Sequence, residues 1–272
     1  MASIVGTLAT TKFGTTGVPS KSELLEKMEK FQKSDRENIK SWKKELELIK
    51  IAPSIMCANF LNLGEVIEEL EAGGADLIHF DIMDGNFVPG FALGERILRD
   101  VRGKTNLPIE VHLMTLDPER HVEKFAKEGA NIISVPVETC RHLHQVVKLI
   151  KRCGVKPGVA LNPATPLNEI EYILQEISVV TIMSIDPGYV GQRFLPFVLP
   201  KIRKLAKIIK EQKVLVDIQI DGGIDEENDR LAVEAGANIL VHGIFTIFKG
   251  DRSVREATQQ VKNKAQEWHQ KM

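Results

Sequence analysis

Two histidines and two aspartates occupy short apolar runs of the sequence in a pattern that could bind a metal ion. His79 and Asp81 lie two residues apart in one run, His112 lies in the next, and Asp221 ends a later run just before two glycines. Side chains two residues apart on a strand point to the same side, so His79 and Asp81 share a face if their run is a strand. Two imidazoles and two carboxylates form a donor set for zinc or another divalent first-row ion, and ligand type leaves the ion's identity open.

Glycines gather in three other segments, at 186–192, 222–223 and 243. Glycine lets backbone N–H groups approach an anion closely, and barrel enzymes often bind phosphate at loops late in the chain. The three segments therefore predict a phosphorylated substrate. The residues predicted to bind it here are Gly188, Tyr189, Val190, Gly191, Gly222, Gly223, Gly243 and Ile244.

Together the two groups of residues indicate a class of reaction. A metal between two carboxylates can polarise a carbonyl and stabilise the enediolate that forms when the neighbouring C–H loses its proton. With one carboxylate on each face of that planar intermediate, a proton can leave from one side and return from the other. The reaction is then an epimerisation, which needs no nicotinamide.

Eight apolar runs rich in Ile and Val alternate with stretches of helical period from residue 49 onward. The predicted strands are 49–56, 77–83, 109–114, 132–136, 156–161, 179–184, 216–220 and 239–242. Alternating strands and helices predict parallel pairing, and eight units in about 220 residues predict a (β/α)8 barrel, an α/β fold. In that fold the carboxyl ends of the strands share one face, so the polar groups above are expected to converge. A doubly wound sheet is the alternative, but neither GxGxxG nor GxxxxGK[ST] occurs.

Residues 1–48 lie outside this pattern. They begin with a Thr-, Ser- and Gly-rich stretch, expected to be flexible, and continue with charged amphipathic helices whose starts Ser20 and Ser34 signal, each followed three residues later by Glu. We therefore predict two domains: an N-terminal helical extension at 1–48 and the barrel at 49–272. A packing role for the extension's helices is preferred over a lid or a subunit contact, and a transit peptide is disfavoured.

The overall charge argues against two classes of partner. The 272 residues include 36 basic and 37 acidic side chains, a net charge of -1, so nothing in the overall field favours nucleic acid or an anionic membrane. No apolar run approaches ~20 residues, which excludes a predicted transmembrane helix.

Three cysteines without a CxxC spacing favour a reducing compartment, and we predict the cytoplasm.

The residues from about 51 to 250 resemble the ribulose-phosphate 3-epimerase family. The motifs that carry the resemblance are PSIM at 53–56, HFDIMDGNFVP at 79–89, VHLM at 111–114, LNPATP at 161–166, IMSIDPGYVGQRF at 182–194 and IDGGI at 220–224. The resemblance implies a metal-dependent barrel enzyme of the pentose phosphate pathway that interconverts D-ribulose 5-phosphate and D-xylulose 5-phosphate. It also implies a homo-oligomer.

The resemblance assigns roles to individual residues. His79, Asp81, His112 and Asp221 would bind one divalent metal ion, with zinc as the first choice and iron, manganese or cobalt as alternatives. Asp81 would act as general base and Asp221 as general acid, with the roles exchanged in the reverse direction. The remaining substrate contacts would come from Ser54, from His112 and from a sulfur cap of Met83, Met114 and Met183.

The sequence also departs from the family pattern. Asp186 stands where most members have Asn, a feature that resembles D-allulose-6-phosphate 3-epimerase, which acts on a six-carbon sugar. Ile244 and Phe245 follow Gly243 where the family usually has Ser or Thr, and His242 precedes it in place of a small residue. Two alternatives to the pentose-phosphate epimerase therefore stay open: the allulose 6-phosphate enzyme and a catalytically silent protein that binds sugar phosphates.

Overall fold

The computed structural model of the protein describes residues 48–271, with side chains described as far as Trp268. The predicted helical extension falls on residues that lie outside this range, apart from Leu48. Its helices and the predicted boundary between the two domains therefore stay predictions.

Strands and helices alternate along the described residues. The strands are β1 (Lys50–Pro53), β2 (Ile78–Asp84), β3 (Phe91–Ala92), β4 (Ile109–Met114), β5 (Ile132–Pro136), β6 (Lys156–Leu161), β7 (Val179–Met183), β8 (Asp217–Asp221) and β9 (Ile239–His242). The α-helices are α1 (Leu63–Ala72), α2 (Glu95–Arg102), α3 (Val122–Lys127), α4 (Leu143–Arg152), α5 (Leu199–Gln212), α6 (Glu226–Ala235) and α7 (Val254–Lys271). None of the helices within residues 48–271 is long and apolar enough to cross a membrane.

The strands form one curled sheet in the order β1-β9-β8-β7-β6-β5-β4-β2-β3. Every pairing is parallel except that of β2 with the two-residue β3. An isolated parallel bridge between Ser54 and His79 joins the β1 side of the sheet to β2 and closes the circle. The predicted (β/α)8 barrel is confirmed, and each of the eight predicted strands corresponds to one of its eight parallel strands.

The strands are apolar because both of their faces are buried. In β4 and β5 every residue is buried, including Val111, Leu113 and Ile133, which have no exposed surface. One face fills the barrel interior and the other packs against the surrounding helices, so the strands read as near-continuous hydrophobic runs. A polar side chain in such a strand must find a partner within the barrel.

Two local structures differ from the sequence-based expectation. The stretch 167–176 has apolar residues at helical spacing, yet it forms two 3-10 helices, Leu167–Glu169 and Glu171–Glu176. Buried Leu167 and Ile170 are three residues apart, which matches the three residues per turn of a 3-10 helix. The β3 strand was not predicted, because two residues are too few to show an alternating pattern.

Asp76, which lies just before β2, joins that strand to β1; we call this junction the β1–β2 seam. Its Oδ2 accepts a 2.7 Å hydrogen bond from the backbone N of Ile51, and its own backbone N donates to the carbonyl of Ile51. The Lys262 ammonium of α7 contacts both Asp76 carboxylate oxygens at 2.5 Å. Because Ile51 is fully buried, its N–H has no access to water and depends on Asp76.

We predict that Asp76→Ala lowers the free energy of unfolding by about 1–3 kcal/mol, because it leaves the buried N–H of Ile51 without an acceptor. Lys262→Ala removes only the partly exposed ion pair and should cost less than about 1 kcal/mol. Urea unfolding of both variants measures the difference. Equal losses would show that the ion pair, rather than the backbone bond, stabilises the seam.

Candidate active site and metal centre

Four titratable side chains from three strands meet in one cluster, three of them buried and the fourth, Asp221, partly exposed. His79 and Asp81 extend from β2, His112 from β4 and Asp221 from β8. In the parallel pairing of β2 with β4, Asp81 lies directly beside His112, so these two side chains are at the same height in the barrel. One ligand atom from each of the four residues lies within 4.8 Å of the others. The structure therefore brings together the four residues that the sequence singled out.

The nitrogen and oxygen atoms of this cluster face one another. His79 Nε2 lies 3.1 Å from Asp81 Oδ1 and 3.5 Å from Asp221 Oδ2. His112 Nδ1 lies 3.5 and 3.6 Å from the same two oxygens. Although it is buried, His112 Nδ1 has no hydrogen-bond partner among the described residues. An unpaired buried nitrogen beside converging carboxylates fits a divalent cation, which accepts lone pairs from all four groups.

The electrostatics of the cluster favour charged groups despite their burial. Burial alone would raise the carboxyl pKa values, but the adjacent imidazoles lower the pKa of both Asp81 and Asp221. Burial likewise opposes protonation of the imidazoles, yet the carboxylates raise the pKa of His79 well above its ordinary value and that of His112 to about 9. Without a metal ion, protons on the two rings therefore balance the buried carboxylates.

Ser54 fixes the second oxygen of Asp81. Its hydroxyl, at the end of β1, donates a 2.6 Å hydrogen bond to Asp81 Oδ2. The other oxygen, Oδ1, is the one that faces the two imidazoles. The Asp81 carboxylate is thus held in a single orientation, with one oxygen toward the serine and the other toward the cluster.

A cleft opens above the cluster. Its empty volume is about 590 Å³, part of it open to solvent, which suits a small metabolite. Met83, Met114 and Met183 line it, each less than one-tenth exposed. The other predicted site residues that line the cleft are Ser54, Asp81, Gly188, Tyr189, Val190, Gly191, Asp221, Gly222, Gly223, Gly243 and Ile244. His79 and His112 contribute to the metal cluster without lining the cleft itself.

The two glycines after β8 have a backbone conformation and close neighbours that leave no room for a side chain. Gly222 and Gly223 have φ values of 111° and 63°, in the left-handed region. A Cβ on Gly223 would lie 2.4 Å from the backbone N of Phe194, so the two backbones approach closely. All three predicted glycine segments line the cleft, and a Cβ on Gly191 would lie 3.9 Å from Ile244 Cδ1, so the first and third segments are neighbours. We call this part of the cleft the candidate phosphate end.

Other residues of this region were not predicted as part of the site. Cys57 lines the cleft, and burial, together with the nearby Asp81 and Asp221 charges, raises its thiol pKa to about 12. Glu110 is fully buried and accepts a hydrogen bond from the His79 ring. Its position two residues before His112 on an apolar strand, and hence on the same face, was the available sequence signal.

The remaining described histidines do not join the metal cluster. His142 and His144 are exposed. His242 is fully buried, with Nδ1 3.1 Å from Thr246 Oγ1 and Nε2 3.8 Å from a carboxylate oxygen of Asp229. Burial lowers the pKa of His242 to about 3, so this ring is neutral. Its Thr246 contact anchors the turn that follows Gly243.

The fold and the cluster together define a class: the (β/α)8 barrel proteins with a buried His/Asp group, suited to a metal, at the carboxyl end of the strands. Comparison with solved structures supports the fold. The tryptophan synthase alpha subunit of Legionella pneumophila str. Paris superposes with a TM-score of 0.57 at 14% identity, over 86% of this chain and 98% of that one.

Sequence comparison identifies the family. Residues 50–247 match the model of the ribulose-phosphate 3 epimerase family. A ribulose-phosphate 3-epimerase of Bacillus subtilis (strain 168) is 47% identical over 206 residues, which cover 75% of this chain and 95% of that protein. One from Synechocystis sp. is 46% identical over 197 residues, covering 72% and 86%. The chain belongs to the ribulose-phosphate 3-epimerase family.

We predict that zinc binding at pH 7.5 releases at least one proton, because the pKa of His112 is raised to about 9, that of His79 is raised as well, and an imidazolium must lose a proton to bind metal. Two histidines with ordinary pKa values would release about 0.2 protons in total. Since protons leave on binding, the apparent affinity should rise as the pH increases from 6.5 to 9. Calorimetry in buffers of different ionisation enthalpy measures the number.

The exposed His144 provides the control. His144→Asn should release the same number of protons as the wild type, because this side chain lies on the surface away from the cluster. Release of only a few tenths of a proton by the wild type would contradict the raised pKa values of His79 and His112.

Proposed function

We propose that this protein is a metal-dependent ribulose-phosphate 3-epimerase that interconverts D-ribulose 5-phosphate and D-xylulose 5-phosphate. The observation that carries the proposal is the convergence of Asp81 and Asp221, from β2 and β8, on one cleft and one shared pair of imidazoles. Two carboxylates on opposite sides of a substrate carbon are what a two-sided proton transfer requires. Membership of the family supports the same reaction.

The proposed metal ligands are His79, Asp81, His112 and Asp221. Zinc suits two nitrogens and two carboxylate oxygens, and iron, manganese or cobalt are alternatives with the same ligand types. When bound, a divalent ion supplies electrophilic polarisation of the substrate carbonyl, which acidifies the adjacent C3–H.

The acid and base would be the two aspartates. Asp81, ionised and held by Ser54 at 2.6 Å, would remove the C3 proton from one face of the substrate. Asp221 would return a proton to the opposite face, and the roles exchange in the reverse direction. Only 5% of the Asp81 side chain and 14% of the Asp221 side chain are exposed, so little water reaches the carboxylates to protonate the reactive intermediate.

Other residues that line the cleft would bind the phosphate and cover the reacting carbons of the substrate. Backbone N–H groups of the glycine segments are proposed to bind the phosphate, and the three methionines would cover the planar intermediate with polarisable sulfur. Ile244 stands at the phosphate end, with its Cδ1 near Gly191. We propose that its bulk limits the length of the sugar chain, which would favour a five-carbon substrate over a six-carbon one.

We also infer a place for this reaction in the pentose phosphate pathway, which the family membership supports. From the sequence we expect a cytoplasmic location and a homo-oligomeric state. The allulose 6-phosphate activity is less favoured, since the relatives compared above are named ribulose-phosphate 3-epimerase.

The substrate preference can be tested by isotope exchange. We expect the metal-loaded protein in deuterated water to place deuterium at C3 of ribulose 5-phosphate, as followed by NMR. The value of kcat/KM should be at least about tenfold higher than for allulose 6-phosphate, because Ile244 is proposed to limit the length of the sugar chain. No exchange with either ketose would reject the epimerase function, and faster exchange with allulose 6-phosphate would reassign the substrate.

The acid/base assignment can be tested separately. Asp221→Asn should lower kcat by at least about 100-fold, since an amide cannot exchange a proton with C3. Substrate should still raise the melting temperature of the variant, because its phosphate contacts are intact. Asp100→Asn, the same change at an exposed position on α2, is the matched control and should keep wild-type turnover. Near-normal turnover of Asp221→Asn would overturn the assigned role.

A further inference from the structure

Glu110 is a fully buried carboxylate that the proposed reaction does not use. It lies on β4, two residues before His112 and directly beside His79 of β2 in the parallel ladder. Its side chain has no exposed surface. A buried ionised acid in an apolar strand lowers stability unless opposite charge and hydrogen bonds compensate it.

Both oxygens of Glu110 are occupied by specific donors. Oε2 lies 2.9 Å from His79 Nδ1, and Oε1 accepts a 2.6 Å hydrogen bond from the hydroxyl of Ser134 on β5. The carboxylate therefore cannot rotate without losing one of the two bonds. Its orientation, and with it the orientation of the His79 ring, is fixed from the next strand.

Gly158 on β6 provides the space for this arrangement. It pairs directly with Ser134, and a Cβ at this position would lie 2.1 Å from Ser134 Oγ. Any larger residue would displace the hydroxyl that holds Glu110. Four adjacent strands thus contribute in sequence: Gly158 admits Ser134, Ser134 holds Glu110, and Glu110 holds His79.

The contact with Glu110 decides which nitrogen of His79 keeps its proton when a metal ion binds. A carboxylate only accepts hydrogen bonds, so it keeps the proton on Nδ1. The opposite nitrogen, Nε2, is the one that faces Asp81 and Asp221 at 3.1 and 3.5 Å. An imidazole with Nδ1–H directed to a carboxylate offers its Nε2 lone pair to a metal, and such partners raise the basicity of the ligand.

We propose that Glu110 is the positioning residue of the metal site: it sets the tautomer and ring orientation of His79, and Ser134 holds Glu110 in place. The inference rests on the proposed function, because it requires that His79 binds a metal ion. Its test does not depend on substrate, so the two can fail separately.

The experiment measures zinc affinity by competition with a chromophoric chelator. Glu110→Gln retains the shape and an acceptor oxygen but loses the charge, and should weaken zinc binding by up to about tenfold. Glu110→Leu removes the acceptor and should weaken binding by about 10–100-fold. Ser134→Ala should have a smaller effect in the same direction. Glu123→Gln, at an exposed position on α3, is the matched control and should bind zinc as the wild type does.

A second readout separates positioning from packing. The nitrogen-15 shifts of the His79 ring in the zinc-loaded protein should show a protonated Nδ1 and a zinc-bound Nε2 in the wild type, and a changed Nδ1 environment in Glu110→Gln. A packing role alone would lower the melting temperature and leave the zinc affinity of the folded protein unchanged.

The results that overturn the proposal are distinct from those that reject the epimerase function. Wild-type zinc affinity and unchanged His79 shifts in Glu110→Gln would overturn the positioning role even in an active enzyme. A wild-type chain that binds neither zinc, manganese nor cobalt would also overturn it. A chain that binds zinc normally but exchanges no C3 proton would reject the epimerase function and leave the role of Glu110 standing.

Discussion

The constraint on which this structure depends is the burial of several carboxylates around two imidazoles. Asp81 and Glu110 are buried and Asp221 is only 14% exposed, and a buried ionised group costs several kcal/mol unless opposite charge compensates it. Compensation requires ligand atoms a few ångströms apart, with little tolerance. Loops of ordinary mobility do not hold such distances. Neighbouring parallel strands do, because their register and spacing are fixed by backbone hydrogen bonds.

Most of the fold could be predicted because the barrel imposes a simple pattern on the sequence. Strands buried on both faces must be apolar throughout, and each must be followed by a helix to return the chain, so eight alternations are visible without further information. Elements below that scale were not predictable. The two-residue β3 has no pattern of its own, and the 3-10 helices at 167–176 differ from an α-helix only in the spacing of a few apolar residues.

The metal-cluster candidates were predictable because histidines and aspartates stand out in apolar runs and suggest a ligand set, whereas the role of Glu110 was not. His79, Asp81, His112 and Asp221 are all polar residues within otherwise apolar strands. Glu110 interrupts its run as well, but nothing in a linear sequence shows that its neighbour across the sheet is His79, or that a glycine two strands away makes room for Ser134. Contacts between strands depend on register, which only the folded barrel determines.

The first and last strands of the barrel pair with each other, Lys50 beside Ile239 and Pro53 beside His242. During synthesis on a ribosome, this ladder cannot form until nearly the whole barrel has been translated, because its partners are about 190 residues apart in sequence. Ser54 and Gly243, which both line the cleft, adjoin that last pairing. A nascent chain therefore has no complete cleft until its last strand has been made.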